Sequence, residues 1–253
     1  MLPSFITRFA KPTLREPFSA LPDPLQQFLR TGTANGTNGK IFTDVSSNST
    51  TSNLILLQLL LCESRAKATL EVGMAFGAST LVFAHHHNSQ GARNEGRHTA
   101  IDPNEDTVYD SAGRKYLEAA GLSRNVRVLP APSSEALPAF FAEGRRIDLA
   151  YIDGSHLFED VFLDFYYINR LLREGGYLVF DDSSHADVRK VLAFIHRNFS
   201  AHYRAINLRA YYRGTWLEGI KYQAMHLLKK NQLTCLQKTG SGQREWDAVL
   251  HDF

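Results

Sequence analysis

The stretch LEVGMAFGAST, Leu70 to Thr80, decides how the chain is read. An apolar run stops at Glu71, two glycines follow four residues apart, and Ser79 and Thr80 lead into a second apolar run. ATLEV (68–72) has the composition of a short buried strand and STLVFAHHH (79–87) that of a helix. Gly73 and Gly77 carry no Cβ, so a ligand can lie against the backbone of the turn and near the start of the helix.

The same alternation continues downstream. HTAID (98–102) precedes a helical pattern over 107–121, and VRVLPA (126–131) precedes one over 133–144. IDLAYID (147–153) precedes a helical pattern over 157–175, and GYLVFDD (176–182) precedes one over 185–199. Strands alternating with helices predict a parallel sheet covered on both faces, an α/β Rossmann-like doubly wound fold. HYRAINL (202–208) and LTCLQK (233–238) read as two further strands, an antiparallel pair that closes one edge of a mostly parallel seven-stranded sheet. EGIKYQAMHLLKK (218–230), between them, looks helical. Upstream, Leu54, Leu57, Leu60 and Leu61 fall at helical spacing with Ser52 or Asn53 as N-cap. PLQQFLR (24–30) suggests a short helix, and TGTANGTNGK (31–40) a mobile loop, either a linker or a lid over a ligand. Residues 1–50 therefore form an N-terminal extension with a possible lid, and 51–253 one catalytic-sized domain.

Bulk properties exclude several classes. The 253 residues are 43% hydrophobic and 21% charged, with a net charge of +2, which leaves no electrostatic footprint for nucleic acid. No run of about 18 apolar residues exists, so no membrane span is expected, and the charged, proline-containing N-terminus does not read as a signal peptide. Cys62 and Cys235 are far apart and lack metal-ligand spacing, as suits reduced cysteines in a cytoplasmic protein.

In an open parallel sheet, ligands bind beyond the carboxyl ends of the strands. Those ends hold Glu71-Val72-Gly73, Asp102-Pro103, Pro132-Ser133, Asp153-Gly154 and Asp181-Asp182. Four of the five carry a carboxylate, more than the charged fraction would place there by chance. Asp102 ends the second strand of the series, where an acid can accept both hydroxyls of a ribose. The glycine pattern fits a dinucleotide fingerprint poorly, with alanine at two of three glycine positions. An acid before the first glycine also repels a pyrophosphate and tolerates a cationic sulfonium amino acid.

Glu71 to Thr80 resembles motif I of the class I S-adenosylmethionine-dependent methyltransferases. AYIDGSHLFEDVFLDFYYINRLLREGGYLVFDD (150–182) resembles the signature of the small-molecule O-methyltransferase group that includes the macrocin and cephalosporin-pathway enzymes. The resemblance covers roughly 53–199 and departs at Ala75, where many relatives have glycine. It implies S-adenosyl-L-methionine as cofactor and methylation of a hydroxyl on a small molecule, as in natural product biosynthesis. By the same resemblance Glu71, Gly73 and Gly77, with Ser79 beside them, bind the methionine and ribose part of the cofactor. Asp102 takes the ribose hydroxyls, Ser133 lies beside the adenine, and Asp153 borders the cofactor. Asp153, Asp181 and Asp182 match the acids that hold a divalent metal in metal-dependent members, an oxygen site suited to Mg²⁺. Such a cation lowers the pKa of the acceptor hydroxyl. His156, three residues after Asp153, is a candidate general base.

Three alternatives stand beside this reading. One is a metal-independent methyltransferase with His156 as base. A second is an NAD-dependent oxidoreductase, against which weigh the weak fingerprint and the lack of a Tyr-x-x-x-Lys pair with a suitable serine upstream. The third is a non-catalytic nucleotide-binding protein, which would have no use for the clustered acids. His85, His86 and His87 are consecutive on a helix and point in different directions, so they read as structural or solvent-facing. Phe162, Phe165, Tyr166 and Tyr167 read as core. Tyr211, Tyr212 and Trp216 read as edge packing or as the wall of an acceptor pocket. The sequence leaves open which acceptor is used and whether the chains form a homo-oligomer.

Overall fold

The structure is a computed structural model and describes residues 21–47, 49–91, 97–211 and 232–252. It opens with helix α1 (Asp23–Thr31) and a ribbon of β1 (Ala34–Asn35) and β2 (Ile41–Phe42). Helix α2 (Thr51–Ser64) leads into strict alternation: β3 (Thr69–Val72), α3 (Ala78–Ser89), β4 (His98–Ile101), α4 (Ala112–Ala119) and β5 (Val126–Leu129). Next come α5 (Ser133–Ala142), β6 (Ile147–Ile152), α6 (Phe158–Leu171), β7 (Leu172–Phe180) and α7 (Ala186–Asn198). The chain returns through β8 (Tyr203–Ala205) and β9 (Thr234–Lys238).

Seven strands form one sheet in the order β5-β4-β3-β6-β7-β9-β8. Strands β3 to β7 are parallel, and β9 lies antiparallel to both β7 and β8, as the sequence pattern implied. The order reverses between β3 and β6, the site where such sheets bind ligands. Side chains alternate between the two faces with the period of a strand. On β6, Leu149 and Tyr151 join the core with buried residues of α2, α3 and α4, whereas Ala150 and Ile152 join that of α5, α6 and α7. Each helix thus covers the apolar face that a central strand cannot expose. No described helix is long and apolar enough to cross a membrane.

The structure departs from the sequence expectations at four places. Residues 103–110 form turns, and α4 begins only at Ala112, because Asp110 and Ser111 are left-handed (φ 51° and 52°). Asp110 is held there by the ribbon: its carboxylate accepts bonds from the Asn38 side chain and from the Asn38 and Lys40 amides. The same contacts pin 31–40, so the expected mobile loop is a fastened ribbon that stands clear of the ligand cavity. Helix α6 stops at Leu171, four residues early, where the buried Lys238 ammonium donates to the Asn169 and Leu172 carbonyls at 2.6 and 2.9 Å. The N-cap of α2 is Thr50, whose side chain accepts from the Asn53 amide. The helical expectation over 218–230, together with Tyr212 and Trp216, lies outside the described residues.

Of the three consecutive histidines, His86 and His87 are structural. His86 bonds to the Ala66 carbonyl, and His87 bonds to Thr69 in the core. Phe165 is fully packed, but Tyr166 lies at the surface under the Arg170 guanidinium, because it falls on the outer stripe of α6.

The two motif glycines are required by packing. A Cβ on Gly73 (φ +91°) would lie 2.1 Å from the Asp153 carbonyl oxygen, and one on Gly77 (φ +82°) would lie 2.8 Å from Gly113 Cα. Gly144 is equally left-handed (φ +68°) but has nothing within 4 Å. Gly144→Ala is therefore expected to cost about 1–2 kcal/mol, the left-handed penalty alone. Gly73→Ala should cost about 2–5 kcal/mol, because the neighbouring backbone must also move. Urea denaturation of both variants checks this; equal losses would show that the 153–154 turn yields freely.

Candidate active site

A cavity of about 580 Å³ opens over the carboxyl ends of the strands. Its floor comes from the residues that follow β3, β4, β5, β6 and β7. Four of those residues still sit on the ladder of the sheet. Gly73 N–H donates to Ile101, Asp102 to Leu129, Asp153 to Val72 and Asp181 to Ile152, at 2.8–3.1 Å. Three of the four are acids whose backbone is fixed before the chain turns away.

At one end, Asp102 organises the glycine turn. Its Oδ2 accepts from the Met74 and Ala75 amides at 2.9 and 2.8 Å, and its Oδ1 accepts from the Asn104 amide at 2.8 Å. Ala75, where many relatives carry glycine, is held left-handed (φ 46°) by this bond. Gly73, Asp102 and Ser133 line the cavity, and Ser133 is the first residue of α5, just past Pro132.

Three expected cofactor residues lie elsewhere. Glu71 is fully buried on the opposite side of the strand from the neighbouring Val72, where Thr80 donates to its carboxylate and His98 Nε2 stands at 3.1 Å. Strand parity turns it beneath α3 and out of the cavity wall. Gly77 caps α3 and permits the close approach of α4. Ser79 is buried on the first turn of α3 and does not line the cavity.

At the other end, Asp153, His156, Asp181 and Asp182 share the wall. His156 Nε2 lies 3.0 Å from Asp182 Oδ2. The bond from His156 holds the Asp182 carboxyl below its ordinary range, and Asp182 in turn raises the imidazole. Burial lifts Asp153, and the charge of Asp181 lifts it further. Asp153, His156 and Asp182 each bring one ligand atom within 4.8 Å of the others. Asp181 is not in that group. Its Oδ1 accepts from Asn53 Nδ2 at 2.7 Å, and its Oδ2 accepts from the Tyr151 hydroxyl. Asp182 is left-handed (φ 44°), a strained position that aims its carboxylate at His156 while its own amide donates to Asp181 Oδ1.

The sequence reading missed the donors behind the acids. The Ser49 hydroxyl donates to Asp153 Oδ2 at 2.9 Å and lies 2.8 Å from the Tyr151 hydroxyl. Tyr151 alternates with Ala150 and Ile152 as a core residue should, and nothing in spacing brings Ser49 or Asn53 to strand ends a hundred residues away. The pattern of Asp164, a further acid on α6, did contain a signal: it falls among Val161, Phe165 and Ile168 on the buried stripe.

The His156–Asp182 pair makes a titration testable. His156 should titrate above the ordinary 6.5 in the folded protein. A raised imidazole contributes stability that is complete below its unfolded value and is lost as pH rises through the folded one; the lowered Asp182 loses its share as pH falls. Asp182→Asn should bring the His156 midpoint down toward 6.5, read by NMR of the imidazole protons. An unmoved midpoint would mean that the pair does not form in solution.

Comparison with known proteins agrees with this architecture. A family described as "Methyltransferase domain" matches residues 70–183, from β3 to just past β7. Tricin synthase 1 of Oryza sativa subsp. japonica is 30% identical over 166 residues, covering 61% of this chain and 62% of that enzyme's length. The O-methyltransferase of Bacillus cereus, solved with SAH, superposes with a TM-score of 0.52 at 17% identity, covering 77% of this chain and 84% of that one. The O-methyltransferase TomG of Streptomyces achromogenes, solved with SAM, gives 0.53 at 16% identity, covering 89% and 90%. At such identities the structural likeness speaks for the fold, and the domain match for the glycine turn and the acid-ended strands. Over these residues the chain is similar to methyltransferases, and it spans about three fifths of the length of the rice enzyme it matches.

Proposed function

We propose that the protein transfers a methyl group from S-adenosylmethionine to a hydroxyl of a small molecule. One observation carries this reading: a single cavity joins the glycine turn and Asp102 to the cluster of Asp153, His156 and Asp182. The cofactor, when bound, supplies an electrophilic methyl group on a sulfonium centre. The chain's own residues then have three tasks. Gly73, Asp102 and Ser133 would bind and orient it. Asp102 has three backbone donors and spare lone pairs, so it suits two ribose hydroxyls without losing its hold on the turn. The cluster at the far end would remove or weaken the proton of the acceptor hydroxyl, since a neutral alcohol or phenol is a poor nucleophile.

A divalent cation fits that cluster. Asp153 and Asp182 would hold it, with His156 the third donor in reach and Asp181, the third acid expected from sequence, supporting them from Asn53 and Tyr151. Buried, mutually repelling carboxylates are what a cation relieves, and oxygen donors favour Mg²⁺ or Mn²⁺. A second reading rests on the 3.0 Å contact between His156 and Asp182: without a metal, the carboxylate orients the imidazole as general base. Both cysteines are free, which fits a cytoplasmic protein. TomG takes part in tomaymycin synthesis, and we read the acceptor here as a natural-product hydroxyl.

Calorimetric titration with S-adenosylhomocysteine, with and without Mg²⁺, tests the cofactor, and methyl transfer to a panel of phenols and alcohols tests the chemistry. Asp182→Asn should lower turnover about 10²–10⁴-fold while cofactor affinity changes little. Excess chelator should mimic the variant, and Mg²⁺ or Mn²⁺ should restore only the wild type. Full activity in chelator, with loss on His156→Ala, would replace the metal by the imidazole. No binding of S-adenosylhomocysteine would overturn the whole reading.

A further inference from the structure

Asp164 has no part in the chemistry above, yet it is the most deeply buried acid of the cavity wall, at 1% exposure. It stands on the second turn of α6, facing the start of α5. The Ser133 side chain hydrogen-bonds to its carboxylate, and Oδ1 has no partner among the described residues. Among the described residues no ion pair answers its charge. Asp160, one turn earlier and also in the wall, adds a charge of the same sign, and burial lifts the Asp164 carboxyl to about 7. A buried acceptor left unpaired costs stability, so its presence at a ligand cavity points to a donor that arrives with the ligand.

The arrangement of the wall says which donor. Asp102 follows β4, Ser133 follows β5 on the outer side of it, and Asp164 bonds to Ser133. A nucleoside with its ribose at Asp102 and its base beside Ser133 therefore turns one edge of the base toward Asp164. We propose that the free oxygen of Asp164 accepts a hydrogen bond from the 6-amino group of the cofactor's adenine, and so makes the cavity selective for a 6-amino over a 6-oxo purine. This rests on the cofactor reading above. An oxo group in the same place would bring lone pairs against the carboxylate and leave Oδ1 unsatisfied. Ser133 fixes the carboxylate so that the other oxygen stays free.

Calorimetry on the full chain, at a pH well above 7 so that the Asp164 carboxyl is ionised, separates this role from a structural one. The ligands are S-adenosylhomocysteine and S-inosylhomocysteine, its 6-oxo counterpart, titrated into the wild type, Asp164→Asn and Ser133→Ala. The wild type should bind the 6-oxo ligand about ten- to a hundredfold more weakly, the worth of one bond to a charged acceptor. Asp164→Asn can turn its amide nitrogen to the oxo group, so the two affinities should come within about threefold of each other. Ser133→Ala should narrow the ratio by a smaller factor. A purely structural Asp164 would weaken both ligands alike and leave the ratio at the wild-type value, which overturns the proposal. Equal binding of both ligands by the wild type overturns it as well, and decides the matter even if Asp164→Asn does not fold. Binding of neither ligand by the wild type would instead remove the cofactor reading on which the proposal stands.

Discussion

The contact on which the site depends is the approach of one backbone to another where β3 and β6 end. Gly73 passes so close to the Asp153 carbonyl that a single methyl group would collide with it. These two strands are neighbours at the reversal of strand order, and beyond them the chain leads to helices on opposite faces of the sheet. Without the close approach the two turns would be pushed apart just where they form one floor. The ladder bonds carried past the strand ends, from Gly73, Asp102, Asp153 and Asp181, complete the effect. They place three carboxylates with the rigidity of the sheet, although all three lie in turns.

So many acids in one cavity need compensation, and each receives it from a different source. Asp102 takes three backbone amides, Asp181 takes Asn53 and Tyr151, Asp153 takes Ser49, and Asp182 takes His156. Hydrogen bonds to the charged form offset desolvation, which is why the cluster can exist before any ligand arrives. Burial and the neighbouring acids keep the Tyr151 phenol protonated, so it remains a donor to Asp181. Two of the donors, Ser49 and Asn53, come from the segment before the alternating domain and from the first turn of α2. The acidic corner is therefore completed by chain that lies outside the strand-helix repeat.

The fold was legible because its signal is local and repeated: a buried strand, a turn and an amphipathic helix, five times over. The strand-end acids were legible for the same reason, since parallel topology puts every such end on one rim. What could not be read was direction. Glu71 and Asp102 both look like acids at the ends of strands. Glu71, however, is within its strand and is turned under α3, whereas Asp102 is one residue past its strand and faces the cavity. Register pairs Glu71 with Ala100, so Asp102 lies two residues farther along, past the ladder, where its carboxylate meets the glycine turn instead of a helix. Helix ends were misread where a distant residue decides them, as Asp110 bound by the ribbon and Lys238 bound to the end of α6 show. The donors to the acids belong to this second kind. Ser49 and Tyr151 meet only after folding, and in sequence one reads as loop and the other as core.

The two walls of the cavity therefore differ in how far they follow from the fold. One wall is made of the residues that follow the parallel strands, which any chain with this sheet must place there, and only their chemistry is a matter of sequence. The rest of the lining includes Ser46, Ser47, Ser49, Thr50, Tyr109 and Gln232, which belong to the lead-in, to a turn and to the segment before β9. None of them sits on the sheet, and their side chains are small or polar. Two of them reach the acidic corner itself: Ser49 donates to Asp153, and the Gln232 carbonyl accepts from the Ser183 amide beside Asp182. The strand-end side of the cavity thus follows from the alternating pattern, whereas the remaining lining lies with residues that this pattern does not control.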